Sequence, residues 1–398
     1  MKQNSIISLI SAFVILALSA VTWQPIAAAV PTRVPQACTG RWEIQPSPDP
    51  GGESRDSRLF AVSALALDDV WAAGYFETDA FRPLPLVEHW NGTAWTAVPT
   101  PIVGDEDNFL YGITALSTDD VWAVGFIMVR QYSEAVTLAM HWDGLQWTVI
   151  PTPNAGSVHD DLVAVSGTSS NDVWAAGSSF RESTYSYHAL VEHWNGTEWS
   201  IVPSASARGG TYLSAITSSP SARWSAGYTA ASPNQTVVEQ LSGSRWVHVS
   251  SQNLPGDNNF FYGVSAASGT DAWAAGDENS PEMPQPNTLI EHWDGSAWSI
   301  VPSPSPAPNG NYLRGIAAVS STEAWAAGFT IDADLATNTL VERWSGTDWT
   351  VFPSPNHQQN LSSLLAISAT PAGTDLWAVG EWYDFSLKAH TFIEHYCR

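Results

Sequence analysis

Short apolar runs of four to six residues, divided by turn residues, recur along the chain with a period near 50. One period shows them plainly: Tyr111-Gly-Ile-Thr-Ala-Leu116, Val121-Trp-Ala-Val-Gly125, Leu138-Ala-Met-His-Trp142 and Trp147-Thr-Val-Ile150. Runs this short are strands rather than helices, four to a period, here called a to d. Each strand b carries a Trp followed three residues later by Gly: Trp71–Gly74, Trp122–Gly125, Trp174–Gly177, Trp224–Gly227, Trp273–Gly276, Trp325–Gly328 and Trp377–Gly380. The Trp spacings are 51, 52, 50, 49, 52 and 52 residues, which makes the chain a repeat protein.

Four strands in about 50 residues is the unit of a β-propeller, so the pattern predicts an all-β, seven-bladed propeller with four antiparallel strands per blade. The turns agree. An acid stands two residues before the Trp in six copies (Asp69, Asp120, Asp172, Asp271, Glu323, Asp375), where a short side chain can hold backbone amides. The c–d turns carry Asn91-Gly92, Asp143-Gly144, Asn195-Gly196 and Asp294-Gly295, dipeptides that suit tight hairpins. One position of strand a is only Gly or Ala (Ala61, Gly112, Ala164, Ala215, Gly263, Gly315, Ala366), as converging inner strands demand. Strand d mostly ends in Pro, which blocks pairing between neighbouring sheets.

The last repeat stops after strand c, at Glu394-His-Tyr-Cys397-Arg398. The strand d it lacks stands at the other end, in Cys38-Thr-Gly-Arg-Trp42-Glu-Ile-Gln-Pro46. The N-terminal strand is therefore expected to pair with the C-terminal hairpin and close the ring. That alignment brings the only two cysteines to adjoining positions and predicts a Cys38–Cys397 disulfide, the alternative being two inert thiols.

Residues 1–29 hold one charge, Lys2, an apolar stretch from Ile6 to Val21 and Ala27-Ala28-Ala29, the features of a secretory signal. An uncleaved anchor is the other reading of that segment, and nothing else in the chain is apolar enough to span a bilayer. Residues 30–37 then form a short linker and 38–398 the propeller, a secreted or cell-surface domain expected to be monomeric. An oxidising compartment suits the predicted disulfide. The net charge of −24 becomes −25 once the signal and its lysine are removed, which argues against nucleic acid and anionic lipid as partners. With 44% apolar residues and 21 Trp, the chain can bury a large core despite only 14% charged residues.

Candidate chemistry is sparse. Five histidines share one column (His89, His141, His193, His292, His395), but equivalent positions on different blades lie too far apart for one metal, so structural hydrogen bonding is the expectation. The short a–b and c–d turns share one face, leaving the long, variable b–c and d–a connections to bind a ligand on the other. Two columns there are candidates for the mouth of the central channel. One is small and polar and includes Asn108, Asp160, Asn259 and Asn311, where capping of the strand start competes with ligand binding. The other diverges between repeats and includes Phe60, Tyr111, Tyr262 and Arg314. Aromatics with Asn and Asp suit sugar or peptide. Asp105, Glu106, Asp107 and Asp257 offer oxygen ligands for a calcium ion, against the reading of solvated acidic loops; no other cofactor is expected. Gly-x-Ser-x-Gly, His-Glu-x-x-His and phosphate-binding Gly loops do not occur.

The Trp-Ala-(Ala/Val)-Gly runs, followed by an aromatic-x4-Trp pair such as Trp90 and Trp95, resemble kelch-type propeller repeats of secreted bacterial proteins over residues 38–398. They carry Ala-Gly or Val-Gly where a diglycine is usual. Trp-Ala-Val-Gly is also similar to the repeats of photosystem-assembly propellers, which lack the Glu-His-Trp-Asn-Gly continuation. The galactose oxidase type would imply copper and a Cys–Tyr cross-link, for which ring closure leaves no cysteine. The expectation is a propeller that binds a carbohydrate or protein through its long-loop face. An extracellular glycan hydrolase using loop carboxylates is the alternative, and a purely structural envelope protein a third.

Overall fold

The computed structural model describes residues 38–129, 134–156, 158–205, 210–280, 285–357 and 361–398; the signal and linker readings of residues 1–29 and 30–37 lie outside them. Apart from one short 3-10 turn, Gly52–Ser54, the regular elements are strands. They fall into antiparallel meanders in which a pairs with b, b with c and c with d. The first joins Ser57–Ala66, Asp69–Glu77, Pro83–Trp90 and Trp95–Ala97. Strands a of the next six are Asp107–Ser117, His159–Ser169, Thr211–Ser218, Asn258–Ser268, Gly310–Ser320 and Ser362–Ala369. Meanders 2 and 3 are joined by a single parallel bridge, His159 to Ala135; the others are separate four-stranded sheets.

The strands run longer than the apolar runs suggest. Strand a of meander 2 begins at Asp107 rather than Tyr111, because its leading polar and aromatic residues keep the ladder while one face turns to a cavity. The c–d turns follow their dipeptides, with Gly92, Gly144, Gly196 and Gly295 at φ between 88° and 95° and Asn91 Oδ1 accepting from the amides of Thr93 and Ala94 at 3.0 and 3.1 Å.

Meander 7 takes its fourth strand from the N-terminal segment. Trp42–Ile44 pairs antiparallel with Glu394–Tyr396 along Ala389–Cys397, in the order N-terminal strand, c, b, a. Beside it Cys38 and Cys397 form a disulfide with 5.1 Å between Cα atoms. The core lies between meanders, in apolar clusters that each draw on two of them. Trp71 and Val87 of the first meet Leu110 and Trp147 of the second, while Trp377 and Ile393 of the seventh meet Leu59 and Trp95 of the first.

Strand c carries a buried glutamate in six copies: Glu88, Glu192, Glu239, Glu291, Glu342 and Glu394, with Met140 in meander 2. Three of them reach the strand d exit of the preceding meander. Glu239 accepts from Ser204 Oγ at 2.7 Å, Glu394 from Ser354 Oγ at 2.7 Å and Glu291 from the Gln252 amide at 3.1 Å. Burial pushes the carboxyls of Glu192, Glu291, Glu342 and Glu394 up to about 8.

Candidate functional site

The repeated Gly of strand b faces a Leu (Phe in meander 5) of strand a, and in all seven meanders the ladder slips by one residue immediately after it. The slips lie at Leu59/Ala61, Leu110/Gly112, Leu162/Ala164, Leu213/Ala215, Phe261/Gly263, Leu313/Gly315 and Leu364/Ala366. The skipped residue is a β-bulge, whose side chain is re-aimed out of the ladder. A Cβ on any of these seven Gly residues would overlap the carbonyl oxygen of the residue preceding that Leu or Phe, so only Gly permits the close strand approach.

The bulge residues are Phe60, Tyr111, Val163, Ser214, Tyr262, Arg314 and Leu365, the divergent column of the sequence. All seven line one cavity of about 590 Å³, together with the Gly/Ala column beside them. That column is narrow because adjacent strands a nearly touch there: a Cβ on Gly315 would stand 2.9 Å from the Ile367 nitrogen. The residue before the Leu and its partner after the repeated Gly share the bulge's side of the strand, and supply Asp161, Tyr212, Ser178 and Tyr228 to the wall; His159, Tyr187 and aliphatic residues of strands a such as Ile113 and Ile316 also line it.

Rings follow one another around the wall. Phe60 stacks on Tyr111 (4.5 Å between centroids), Tyr111 on Phe126 (5.5 Å), Tyr187 lies against Tyr212 (4.5 Å), Tyr212 stacks on Tyr228 (5.2 Å), and Tyr228 meets Tyr262 edge-on (6.0 Å). Arg314 caps the run, its guanidinium 4.1 Å from the Tyr262 centroid. Burial raises the hydroxyl pKa values of Tyr111, Tyr212 and Tyr228, and the Asp161 charge adds to each; Tyr212 reaches about 12.

Charges in this layer are matched except in one place. Arg314 Nη1 binds Asp277 Oδ1 at 2.6 Å, and Arg58 Nη1 binds Glu381 Oε2 at 3.0 Å. Burial holds the Asp277 and Glu381 carboxyls above the usual range, with the arginines pulling the other way. Asp161 has no arginine or lysine within ion-pair distance among the described residues. It accepts the Ser178 N–H and O–H, both at 2.9 Å, and lies 3.4 Å from His159 Nε2.

Of the sequence candidates, Phe60, Tyr111, Tyr262 and Arg314 are brought together in this wall. Asn108, Asp160, Asn259 and Asn311 are not. They lie two residues before the Leu or Phe and so share its buried face; all four are essentially inaccessible. Their side chains clip the d–a loops. Asn108 Oδ1 accepts the Val103 amide at 2.8 Å and its Nδ2 donates to Val103 O and Glu106 O; Asn259 repeats this with Leu254 and Asp257. Asp160 accepts the Ala155 amide and Asn311 the Ala307 amide, each at 2.8 Å. His159, Asp161, Tyr187, Tyr212 and Tyr228 were not among the candidates. Strand alternation from the buried Leu is the signal that points to Asp161 and Tyr212.

The candidate calcium ligands lie at the d–a turns of two different meanders. Asp105 is exposed and 3.9 Å from Arg82, Asp107 opens strand a of meander 2, and Asp257 belongs to the corresponding turn of meander 5. Among the described residues no three His, Cys, Asp or Glu side chains gather to hold a metal. The histidine column stacks on the strand b Trp, as His193 does on Trp174 at 4.1 Å, with Nε2 3.0 Å from Asp172. That Asp also accepts the Trp174 indole N–H at 2.8 Å. The trio repeats at Trp71 and Trp122 with their own Asp and His.

No family model and no curated protein matches the chain. Among solved structures it is similar to YCF48 bound to a D1 peptide, with a TM-score of 0.55 over 90% of this chain and 97% of that one, at 12% identity. The chain folds as a β-propeller. At that identity the likeness carries the fold and nothing finer, and among the described residues no helix is long and apolar enough to cross a membrane.

Proposed function

We propose that the seven meanders are blades of one closed, kelch-like propeller, and that the protein is an exported monomer that binds a segment of a partner protein, or a glycan, in the cavity at its centre. The apolar cluster shared by the first and last meanders, the paired termini and the disulfide support closure. Export is supported by the same disulfide and by the signal-like character of residues 1–29.

The binding role rests on one observation: a cavity of about 590 Å³ whose wall takes a bulge residue from every meander and whose rings follow one another from Phe60 to Tyr262, with the His159 imidazole joining Phe126 to Tyr187. Its volume suits a side chain, a short peptide or a sugar. A protein segment is the favoured ligand, since the structural relative YCF48 was solved with a peptide bound. Hydrolysis is the less favoured role, because a glycosidase needs two carboxyl groups directed at the sugar. Here Asp277 and Glu381 are engaged by arginines, which leaves Asp161 alone.

Peptide and glycan arrays probed with the purified protein test this, followed by calorimetry on the best hit. The expected result is saturable binding weakened at least tenfold by Tyr111→Ala or Tyr262→Ala, without turnover of the ligand. Undiminished affinity in both variants would move the site away from the cavity.

A further inference from the structure

We propose that the cavity is a cation site, taking an alkylammonium or guanidinium group beside the rings of Tyr111, Tyr212 and Tyr228 with the Asp161 carboxylate as counter-ion. This rests on the reading of the cavity as the binding site and names the chemistry of what enters it. The first ground is the charge pattern. The wall layer holds two arginines and three acids, and each arginine is already joined to one acid at 2.6 or 3.0 Å. The Arg314 guanidinium is further covered by Tyr262, Tyr312 and Phe329 at 4.1 to 5.3 Å. Each arginine of the layer is therefore already paired, and Asp161 has only the His159 imidazole, 3.4 Å away, as a neighbour able to carry positive charge.

The second ground is how Asp161 is held. Ser178 donates to both carboxylate oxygens, one from its amide and one from its hydroxyl. Those bonds aim the group while leaving acceptor capacity for another donor. The third is the wall itself. The rings of Tyr111, Tyr212 and Tyr228 line the same cavity as Asp161, and a charge pair strengthens where water is partly excluded. Asp161 is close enough to Tyr111, Tyr212 and Tyr228 for its charge to act on all three hydroxyls. The chain's net charge of −24 draws cations toward the protein as a whole.

The group could belong to a free organic cation or to a Lys or Arg side chain of a peptide, and calorimetry separates the two. The probes are butylammonium, butylguanidinium and neutral butanol, with capped pentapeptides bearing Lys, Arg or norleucine between glycines. Each is titrated into the wild-type protein and into Asp161→Asn, whose amide oxygen still accepts from Ser178. The expected result is that the cationic member of a series binds at least tenfold tighter than its neutral isostere, and that Asp161→Asn removes the preference. Tighter binding of the peptides than of the free cations assigns the group to a side chain; the reverse assigns it to a small molecule.

The wild-type comparison of charged and neutral isosteres stands even if the variant does not fold. Equal affinity for both overturns the cation assignment, as does a preference that survives in folded Asp161→Asn. If neutral probes bind as well and binding is lost in Tyr212→Ala, the cavity is still the site and only its cation chemistry falls. If no probe binds, the cation assignment falls and the array experiment decides the wider reading.

Discussion

A single atom that is absent shapes the cavity. The repeated Gly of strand b has no Cβ, so strand a can press its carbonyl into that space, and the extra residue of the bulge turns inward. The sequence shows the glycine as an invariant repeat mark, but the bulge is invisible in it, because an inserted residue leaves no gap in a run such as Leu110-Tyr111-Gly112. The divergence at Phe60, Tyr111, Tyr262 and Arg314 was legible and led to the wall. The Asn and Asp column was ambiguous in the sequence, because a small polar residue at a strand start serves a loop clip as well as a ligand, and only alternation from Leu separates the two. Gly276→Ala tests the role of the glycine. The new methyl group would strike the Phe260 carbonyl, backbone that no rotamer change relieves. Overpacking of this kind costs about 3 kcal/mol, read as a lower urea midpoint. A loss under about 0.5 kcal/mol would show that the bulge does not depend on Gly.

The strands of each element were legible from short apolar runs and turn dipeptides; the long b–c loops were not, because no period governs them. Four of these loops hold a bulky residue at positive φ: Phe81, Tyr185, Leu335 and Leu387, at 49° to 65°. All four are exposed, Tyr185 to 85%. Local anchors impose the conformation. Asp332 accepts the amides of Asp334 and Ala336 at 2.9 and 3.0 Å, and the Leu335 amide closes the turn onto the Asp332 carbonyl at 3.1 Å. An L side chain pays about 1–2 kcal/mol for that region, less for Asn. Neither water exposure nor packing compensates Leu335, so Leu335→Asn is expected to stabilise by about 0.5–1 kcal/mol. Chemical denaturation of the two proteins decides it, and an unchanged or lower midpoint would mean that the loop relaxes at no cost.

Across the whole molecule the chain is tied at its ends and carries acids buried between meanders. The disulfide spans 359 residues, and closing so long a loop is worth at most about 6 kcal/mol in the chain-entropy model. Reduction under native conditions should lower the melting temperature and expose the Trp42 strand to protease; a reduced protein as stable as the oxidised one would show that pairing of the termini suffices alone. The pairing was legible because a missing strand at one end matched a surplus at the other. The acids were legible only as the Glu of a recurrent pair, followed by His in four copies, by Gln240 after Glu239 and by Arg343 after Glu342; where His follows, it faces an Asp and a Trp while the glutamate turns into the core. Glu342 is fully buried, neither of its oxygens has a hydrogen-bond partner among the described residues, and its carboxyl is pushed up to about 8 by burial, against an ordinary value near 4.5. Between those values the folded protein keeps a proton that the unfolded chain releases, so stability falls as pH rises from about 4.5 to 8 and levels off above. Glu192, Glu291 and Glu394 add slopes of the same sign. Glu342→Gln keeps the shape and removes one titration, so its melting temperature should match the wild type near pH 5 and exceed it near pH 8, by about 1–3 kcal/mol of stability. Melting curves at half-unit steps measure both slopes. Parallel curves for the two proteins would mean that Glu342 is ionised in the folded state, and that the acids between meanders are hydrated rather than dry.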